Sequence, residues 1–130
     1  DMPRLRAKAV ARGIADRVIF TGEFPESEKR DLFALADAYV MPSRGEGFGF
    51  VFLEALASGL PVLGSRLDGG REALLGGELG LLVDPTNLAE IVAGIEELLA
   101  RPGRRIPERL EHFSFERFKE RVSEILRKLV

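Results

Sequence analysis

Several kinds of residue and segment are absent from this 130-residue chain, and each absence excludes a class of protein. There is no cysteine, which excludes disulfide bonds, thiolate metal sites and a cysteine nucleophile. No apolar run approaches the roughly 18 residues of a membrane span, and the N-terminus lacks the charged-then-apolar pattern of a signal peptide. The sequence therefore predicts a cytoplasmic protein, or one bound peripherally to the inner face of a membrane.

The chain also has no excess of positive charge. Its 19 lysines and arginines face 21 aspartates and glutamates, for a net charge of −2. A surface of this kind does not favour nucleic acid or anionic lipid as a partner. With 45% hydrophobic and 31% charged residues, the composition is that of an ordinary globular chain, and its length predicts one domain at most.

Short apolar runs alternate with helical patterns along the chain. Four runs bounded by glycine or proline are candidate strands, namely residues 17–22, 38–42, 61–65 and 80–85. Amphipathic or capped segments predict helices at residues 1–13, 25–37, 50–58, 70–77, 86–100, 107–113 and 115–130. Thr86 or Asn87 is the candidate N-cap of the fifth of these helices. This alternation predicts an α/β fold, with a parallel sheet and helices on both of its faces.

The segment after the second predicted strand carries the chemistry. Residues 43–49, Ser-Arg-Gly-Glu-Gly-Phe-Gly, form a glycine loop that leads into a helix beginning near Phe50. Ligands of open parallel sheets bind where strands end and helices begin. The free amides at such a helix start favour an anion, a phosphate above all. A ligand-binding role and a simple tight turn both remain open readings of these glycines.

Two carboxylates flank the start of this helix. Glu46 lies in the glycine loop, and Glu54 lies about one turn inside a helix that is otherwise almost entirely apolar. A carboxylate in apolar surroundings needs hydrogen-bond donors, and ligand hydroxyls can supply them. Hydroxyls on both sides of a phosphate indicate a nucleotide sugar. The alternative places Glu54 on a solvent-facing stripe with Ser58.

These residues carry a resemblance to a known family. Residues 42–55 read Pro-Ser-x-x-Glu-Gly-Phe-Gly-x-x-x-Leu-Glu-Ala, in which Glu46 and Glu54 form a Glu-x7-Glu motif. In this strand–loop–helix context the chain resembles the C-terminal, donor-nucleotide-binding domain of the group 1 (family 4) retaining glycosyltransferases of GT-B fold. The likeness runs from about Arg4 to the Phe-Ser-Phe-Glu-Arg-Phe segment at residues 113–118.

The resemblance implies a Rossmann-like sheet of six strands in the order 3-2-1-4-5-6, of which this chain supplies about four. Residues 1–130 would then be a partial domain. It would lack the first two strands, the basic pair that clamps the donor diphosphate, and the N-terminal acceptor domain. We expect strand 17–21 to lose its neighbour, and the exposed sheet edge to cause self-association or a rearranged sheet.

The resemblance also implies roles for matching residues. Glu46 is expected to contact donor-sugar hydroxyls at the reacting centre as the catalytic residue, and Glu54 to bind the ribose hydroxyls. Thr21 and Gly22 are expected near the base. The donor sugar and the diphosphate are expected to contact seven residues of the loop and helix start, namely Ser43, Arg44, Gly47, Phe48, Gly49, Phe50 and Val51.

The implied reaction transfers a hexose from a nucleoside-diphosphate sugar, of UDP or GDP type, to a sugar or lipid acceptor with retention of configuration. No cofactor and no metal are implied. The sequence agrees, since it contains no Asp-x-Asp pair and a single histidine, His112. Without the acceptor domain and the diphosphate clamp, the chain alone is expected to be inactive.

One segment departs from the family pattern. The family has Gly-Gly-x-x-Glu before its last strand, whereas residues 68–72 read Asp-Gly-Gly-Arg-Glu. Glu72 keeps its spacing to Gly80, but Asp68 stands in place of the first glycine. This leaves the role of that loop open.

Two other classes of protein are weighed against the transferase. A dinucleotide-binding oxidoreductase domain needs G-x-G-x-x-G, but a phenylalanine stands at the third glycine position after both Gly45-x-Gly47 and Gly47-x-Gly49. A non-catalytic nucleotide-binding module, such as a receiver-like domain, would need aspartates clustered at strand ends. Asp16, Asp37 and Asp84 do not form such a cluster in the predicted arrangement.

Overall fold

The computed structural model describes residues 1–101 and 103–129. Within these ranges the helices are α1 (Met2–Ala11), α2 (Lys29–Leu35), α3 (Phe50–Ala57), α4 (Gly70–Ala73), α5 (Leu88–Ala100) and α6 (Phe115–Leu129). The strands are β1 (Tyr39–Met41), β2 (Val62–Ser65) and β3 (Leu81–Val83). Single turns of 3-10 helix occupy Ala15–Arg17, Glu26–Glu28 and Leu75–Gly77, and a longer one occupies Glu108–Phe113.

The three strands form one parallel sheet in the order β1-β2-β3. Met41 lies opposite Gly64, and Ser65 lies opposite Val83. All four residues of β2 are buried, as expected for a central strand covered on both faces. The predicted α/β class with a parallel sheet is confirmed. Because the carboxyl ends of β1 and β2 lie at one edge, the loops that follow them are neighbours.

The predicted strand at residues 17–22 is wrong, and the sheet has three strands rather than about four. This segment begins in the turn Ala15–Arg17 and continues as unpaired chain. A strand requires a hydrogen-bonded partner, and the described sheet ends at β1. The apolar side chain of Ile19, which suggested a buried strand, is 89% exposed.

Buried side chains lie on both faces of the sheet. On one face Phe52 and Leu56 of α3, with Leu74 just after α4, pack with Val62 of β2. On the other face Leu63 packs with Val83 and Leu98, a residue of α5. Neighbouring residues of β2 therefore serve opposite faces, as the alternation of a strand requires.

The ring of Phe52 is fully buried and lies against three glycines. A Cβ atom added at Gly49, Gly64 or Gly70 would come within 2.6, 3.2 or 2.8 Å of this ring, respectively. The glycine loop, β2 and α4 therefore approach Phe52 with backbone alone. This packing fixes where α3 begins relative to the sheet.

The remaining predicted helices are present, but the helix predicted at residues 25–37 is divided into a 3-10 turn and α2, and the one at residues 70–77 into α4 and a 3-10 turn. Asn87, rather than Thr86, caps α5, because its side chain accepts a hydrogen bond from the Glu90 amide at 3.2 Å. Residues 107–113 form a 3-10 helix, and α6 follows at Phe115–Leu129; Val130, the last residue of that prediction, lies outside the described residues. In the part of the chain that is described, no helix is long and apolar enough to cross a bilayer.

Candidate functional site

The glycine loop connects the carboxyl end of β1 to the start of α3. Gly49 ends it in the left-handed region, with φ 85° and ψ 63°, where glycine is favoured. A Cβ atom at Gly45 or Gly47 would meet no heavy atom within 4 Å. The three alternate glycines thus have different roles: Gly49 permits the turn and the contact with Phe52, whereas Gly45 and Gly47 leave backbone open to solvent.

The first turn of α3 presents free amides. The Phe52 amide donates to the Gly49 carbonyl at 2.9 Å, while the described hydrogen bonds include none from the Phe50 or Val51 amide. These two N–H groups lie at the positive end of the helix dipole. The helix start is therefore a favourable position for an anion, and the binding of a diphosphate there stays a prediction.

Glu46 is held by backbone contacts on both sides of its Cα. Its amide donates to Oδ2 of Asp68 at 3.1 Å, and its carbonyl accepts from the Gly69 amide at 2.9 Å. Its own carboxylate turns back along the loop, where Oε1 accepts from the Gly47 amide at 3.1 Å. The carboxylate is half-buried and remains open to a ligand.

Asp68, in the segment whose role the sequence left open, accepts hydrogen bonds from three groups. Besides the Glu46 amide, Oδ2 accepts a short hydrogen bond from the Ser43 hydroxyl, and Oδ1 accepts from the Gly70 amide at 3.0 Å. Burial acts to raise the pKa of Asp68, but these three hydrogen bonds outweigh it and hold the pKa below its ordinary value. An aspartate before two glycines at a strand end is typical of such a turn, so a signal was present in the sequence.

Gly69 brings the turn at residues 66–69 into backbone contact with the glycine loop. A Cβ atom at Gly69 would lie 1.9 Å from the Gly47 carbonyl oxygen. Any side chain here would force the two segments apart. The turn and the loop are therefore one structural unit, although more than 20 residues separate them in the sequence.

Glu54 forms an ion pair that the sequence did not predict. Its Oε2 lies 2.9 Å from Nζ of Lys29, in α2, and Lys29 also lies 2.5 Å from Oε1 of Glu26. Oε2 is shielded from solvent, and no described group meets full hydrogen-bond geometry with it, although the side chain as a whole is 42% exposed. The neighbouring carboxylates, Glu26 first and then Glu54, raise the pKa of the Lys29 ammonium. Glu54 is thus a partly exposed carboxylate paired with a lysine.

Tyr39 indicates that the two glutamates share one region. Its hydroxyl lies 3.4 Å from the sulfur of Met41, and burial raises its pKa. The negative charges of Glu46 and Glu54 raise this pKa further. Both carboxylates therefore act electrostatically on the Tyr39 hydroxyl, while the bracket around the start of α3 stays a prediction.

The other predicted residues are more dispersed. The Phe48 ring packs at 5.7 Å against Phe113 and 5.2 Å from Phe50, on the side facing α6. Arg44 is exposed. Thr21 and Gly22 lie in the unpaired, exposed segment, and the hydrogen bond described for Thr21 is local, to the Gly22 carbonyl at 3.4 Å. A base-binding role for these two residues stays a prediction.

Within the described ranges, no three or more histidine, aspartate or glutamate side chains lie close enough together to hold a metal ion. Arg66 follows β2, but its guanidinium already pairs with Glu90 and lies 3.7 Å from Asp84. Arg66 is therefore already paired, and the free amides at the start of α3 and the exposed Arg44 are the groups of this edge, among the described residues, that can meet an anion.

Comparison with known proteins agrees with this geometry. Residues 1–101 match the family described as Glycosyl transferases group 1. The chain is 38% identical over 107 residues to a GDP-mannose-dependent alpha-(1-6)-phosphatidylinositol monomannoside mannosyltransferase of Mycolicibacterium smegmatis, covering 77% of this chain and 28% of that protein. It is 41% identical over 102 residues to a D-inositol 3-phosphate glycosyltransferase of Acidothermus cellulolyticus, covering 78% of this chain and 22% of that protein.

A solved structure has the same fold. Sucrose-phosphate synthase from Thermosynechococcus elongatus superposes with a TM-score of 0.78 at 29% identity, over 98% of this chain and 34% of that one. The chain thus spans about a third or less of the length of these proteins. The sequence match, the shared fold and the loop geometry lead to one conclusion: the chain belongs to the group 1 glycosyltransferases of GT-B fold.

Proposed function

We propose that this chain is the donor-binding part of a retaining glycosyltransferase, which moves a hexose from a nucleoside-diphosphate sugar to an acceptor. One observation carries the proposal. Glu46 lies in the loop just before α3 and Glu54 lies within α3, and the Phe50 and Val51 amides at the helix start have no described partner. The two carboxylates can accept hydrogen bonds from sugar hydroxyls, and the two amides can donate to phosphate oxygens. This set of groups suits a ligand in which a diphosphate lies between two sugars.

In this proposal each part of the site binds one part of the donor. The amides of Phe50 and Val51 hold the diphosphate, since the helix dipole and the free N–H groups both favour negative charge. Glu54, held by Lys29, accepts hydrogen bonds from the ribose, and Glu46 accepts from the transferred sugar beside the reacting carbon. Ser43, Arg44, Gly47, Phe48 and Gly49 border the sugar and diphosphate, and Thr21 with Gly22 borders the base.

The proposed reaction is a front-face displacement. The bond from the anomeric carbon to the diphosphate breaks, and the acceptor oxygen bonds to the same face of that carbon. The acceptor proton passes to the leaving phosphate oxygen. Glu46 would stabilise positive charge that develops on the sugar ring, and no metal is required in this scheme.

The rest of the reaction is proposed to depend on a longer protein. The mycobacterial relative is named for GDP-mannose and a phosphatidylinositol mannoside, which favours GDP over UDP and a sugar-bearing lipid acceptor here as well. Acceptor binding and the basic diphosphate clamp would lie outside these 130 residues. The isolated chain would then be inactive, and the parent protein would work at the inner face of a membrane.

A binding experiment tests the donor site. In the full-length protein that contains this chain, Glu54→Gln should weaken GDP or UDP binding about tenfold or more, because a charge-assisted hydrogen bond to the ribose is lost. The matched control is Glu97→Gln, which removes an exposed carboxylate that pairs with Arg101 at 2.8 Å on α5. Calorimetry gives the dissociation constants. Equal affinity in the wild type and Glu54→Gln would contradict the ribose role.

Turnover tests the catalytic role. Glu46→Gln should abolish most sugar transfer while nucleoside-diphosphate affinity stays within about twofold, since Glu46 contacts the sugar and not the nucleotide. Parallel loss of binding and turnover would instead indicate a folding role. If the wild-type protein itself binds nucleotide but transfers sugar no faster than a blank reaction, the alternative of a non-catalytic nucleotide-binding module is favoured.

A further inference from the structure

We infer that Asp68 is a positioning residue for Glu46. The Asp68 carboxylate holds the glycine loop in the conformation in which Glu46 meets the donor sugar. This inference rests on the proposed function and deepens it. Asp68 lies outside the Glu-x7-Glu motif and stands where the family pattern has a glycine. Its role therefore follows from the structure and not from the resemblance.

The Asp68 carboxylate bridges two segments by dividing its oxygens between them. Oδ2 accepts both donors from the glycine loop, the Ser43 hydroxyl and the Glu46 amide. Oδ1 accepts from the Gly70 amide at the start of α4. Because α4 packs on the buried ring of Phe52, the loop is tied through one carboxylate to the core.

Little else holds this part of the loop. Gly45 and Gly47 have open space where a side chain would be, and Arg44 is exposed. The Gly69 amide adds one hydrogen bond to the Glu46 carbonyl, and it belongs to the same turn as Asp68. The described contacts that place the Glu46 backbone thus converge on residues 68 and 69.

The start of α3 is held differently. Gly49 and Phe52 are fixed by burial and close packing, and Glu54 is paired with Lys29. None of these contacts involves Asp68. A change at Asp68 should therefore move Glu46 and leave the diphosphate and ribose contacts in place, which separates positioning from a general loss of structure.

The first experiment measures this separation in the full-length protein. Asp68→Asn removes the charge and leaves one acceptor oxygen to serve two segments. We expect kcat to fall about 10- to 100-fold, since displacements near 1 Å at a reacting centre cost that much, while the dissociation constant for GDP or UDP changes less than about twofold. Loss of turnover and affinity in parallel, or of neither, overturns the inference.

A second variant keeps the test valid if Asp68→Asn does not fold. Ser43→Ala removes a single donor and leaves the carboxylate with its two amide bonds. We expect kcat to fall about threefold or more, and by a larger factor than nucleotide affinity, since Ser43 also borders the proposed donor. Unchanged kcat in this variant contradicts the inference.

A double-mutant cycle asks whether Asp68 acts through Glu46. In a Glu46→Gln background, Asp68→Asn should cause no further fall in kcat, because the residue being positioned has already lost its charge. Losses that multiply would show that Asp68 acts independently and would overturn the inference.

The control is Asp84→Asn. Asp84 also follows a strand and accepts hydrogen bonds from its own turn, from the Thr86 amide at 2.8 Å and the Thr86 hydroxyl at 2.7 Å, but it makes no described hydrogen bond to the glycine loop. The kcat of the Asp84→Asn variant should stay within about twofold of the wild-type value.

The proposed function and the Asp68 inference fail on different outcomes. If the wild type binds no nucleoside diphosphate, the proposed function fails. Intact binding with equal kcat in Asp68→Asn and Asp84→Asn overturns the Asp68 inference alone.

Discussion

Asp68 carries a negative charge that three neutral donors stabilise, and the described ion pairs include none to it. Its partners are a hydroxyl and two amides, so the folded state satisfies the ionised form of the carboxylate more than the protonated form. The same residue therefore links the geometry of the glycine loop to the protonation state of one group.

This linkage predicts a pH dependence of stability. The pKa of Asp68 is lower in the folded state than the ordinary value of about 3.9, so its contribution is fully present above that value and is lost as pH falls through the folded pKa. Chemical denaturation across about pH 2 to 6 should show a shallower acid loss of unfolding free energy for Asp68→Asn than for the wild type. The pKa of Asp84 is also lowered, and Asp84 is present in both proteins. Some acid loss of unfolding free energy should therefore remain in Asp68→Asn. Parallel curves would contradict the prediction.

Residues of the site differ in how far the sequence reveals them. Glu46 and Glu54 could be predicted because a strand, a glycine loop and a helix follow one another within 20 residues. Lys29 could not, since its contact with Glu54 crosses 25 residues and depends on how α2 packs beside α3. Tertiary contacts of this kind leave no periodic pattern in the sequence.

At the scale of elements, Arg104 connects the ends of two helices. Its guanidinium donates to the Phe33, Ala34 and Ala36 carbonyls at 2.8, 2.8 and 2.5 Å, at the end of α2. It also donates to the Ser58 carbonyl at 3.2 Å, just after α3. Helix C-terminal carbonyls lack intrahelical donors, and a cation there also interacts favourably with the dipole. One side chain thus fixes the spacing of α2 and α3, which carry Lys29 and Glu54.

Removing this connection should lower stability. We expect Arg104→Met to reduce the free energy of unfolding by about 1 to 2 kcal/mol, since several carbonyls lose a charged donor at an exposed position. The neighbouring Arg105→Met is the matched control, because its side chain is 81% exposed and lies 3.7 Å from Glu108; it should cost less than about 0.5 kcal/mol. Urea midpoints at unchanged slope give both values. Equal losses in the two variants would refute this role.

The existence of most elements could be predicted, and the exceptions have physical reasons. Alternating apolar runs with glycine or proline boundaries correctly predict β1, β2 and β3 and the helices between them. Residues 17–22 have the same composition as a strand, but pairing is a tertiary event that composition does not encode. Residues 107–113 have a helical pattern, yet they form the narrower 3-10 helix between Pro107 and Ser114.

At the scale of the whole molecule, the sheet ends at β1 with one side unpaired in the described structure. β1 pairs with β2 on its other side, and Val40 in the middle of β1 is 37% exposed. Leu35, four residues before this strand, is 82% exposed. An open edge with apolar neighbours is a template for another chain.

We therefore expect the isolated 130-residue chain to self-associate through β1. Sedimentation equilibrium should give a mass above that of a monomer, and Val40→Lys should reduce it, since a lysine on an edge strand opposes pairing. Leu99→Lys is the matched control, because Leu99 is 58% exposed on α5, away from the sheet edge. A wild-type monomer, or equal effects of the two lysines, would exclude association through this edge.

The packing of Phe52 has a consequence for how this sequence can diverge. Its ring occupies the space that a side chain at Gly64 or Gly70 would need, at 3.2 and 2.8 Å from the missing Cβ atoms. A descendant that gains alanine at position 70 must first, or at once, accept a smaller residue at position 52. We therefore expect the stability effects of substitutions at positions 52 and 70 to be coupled and not additive.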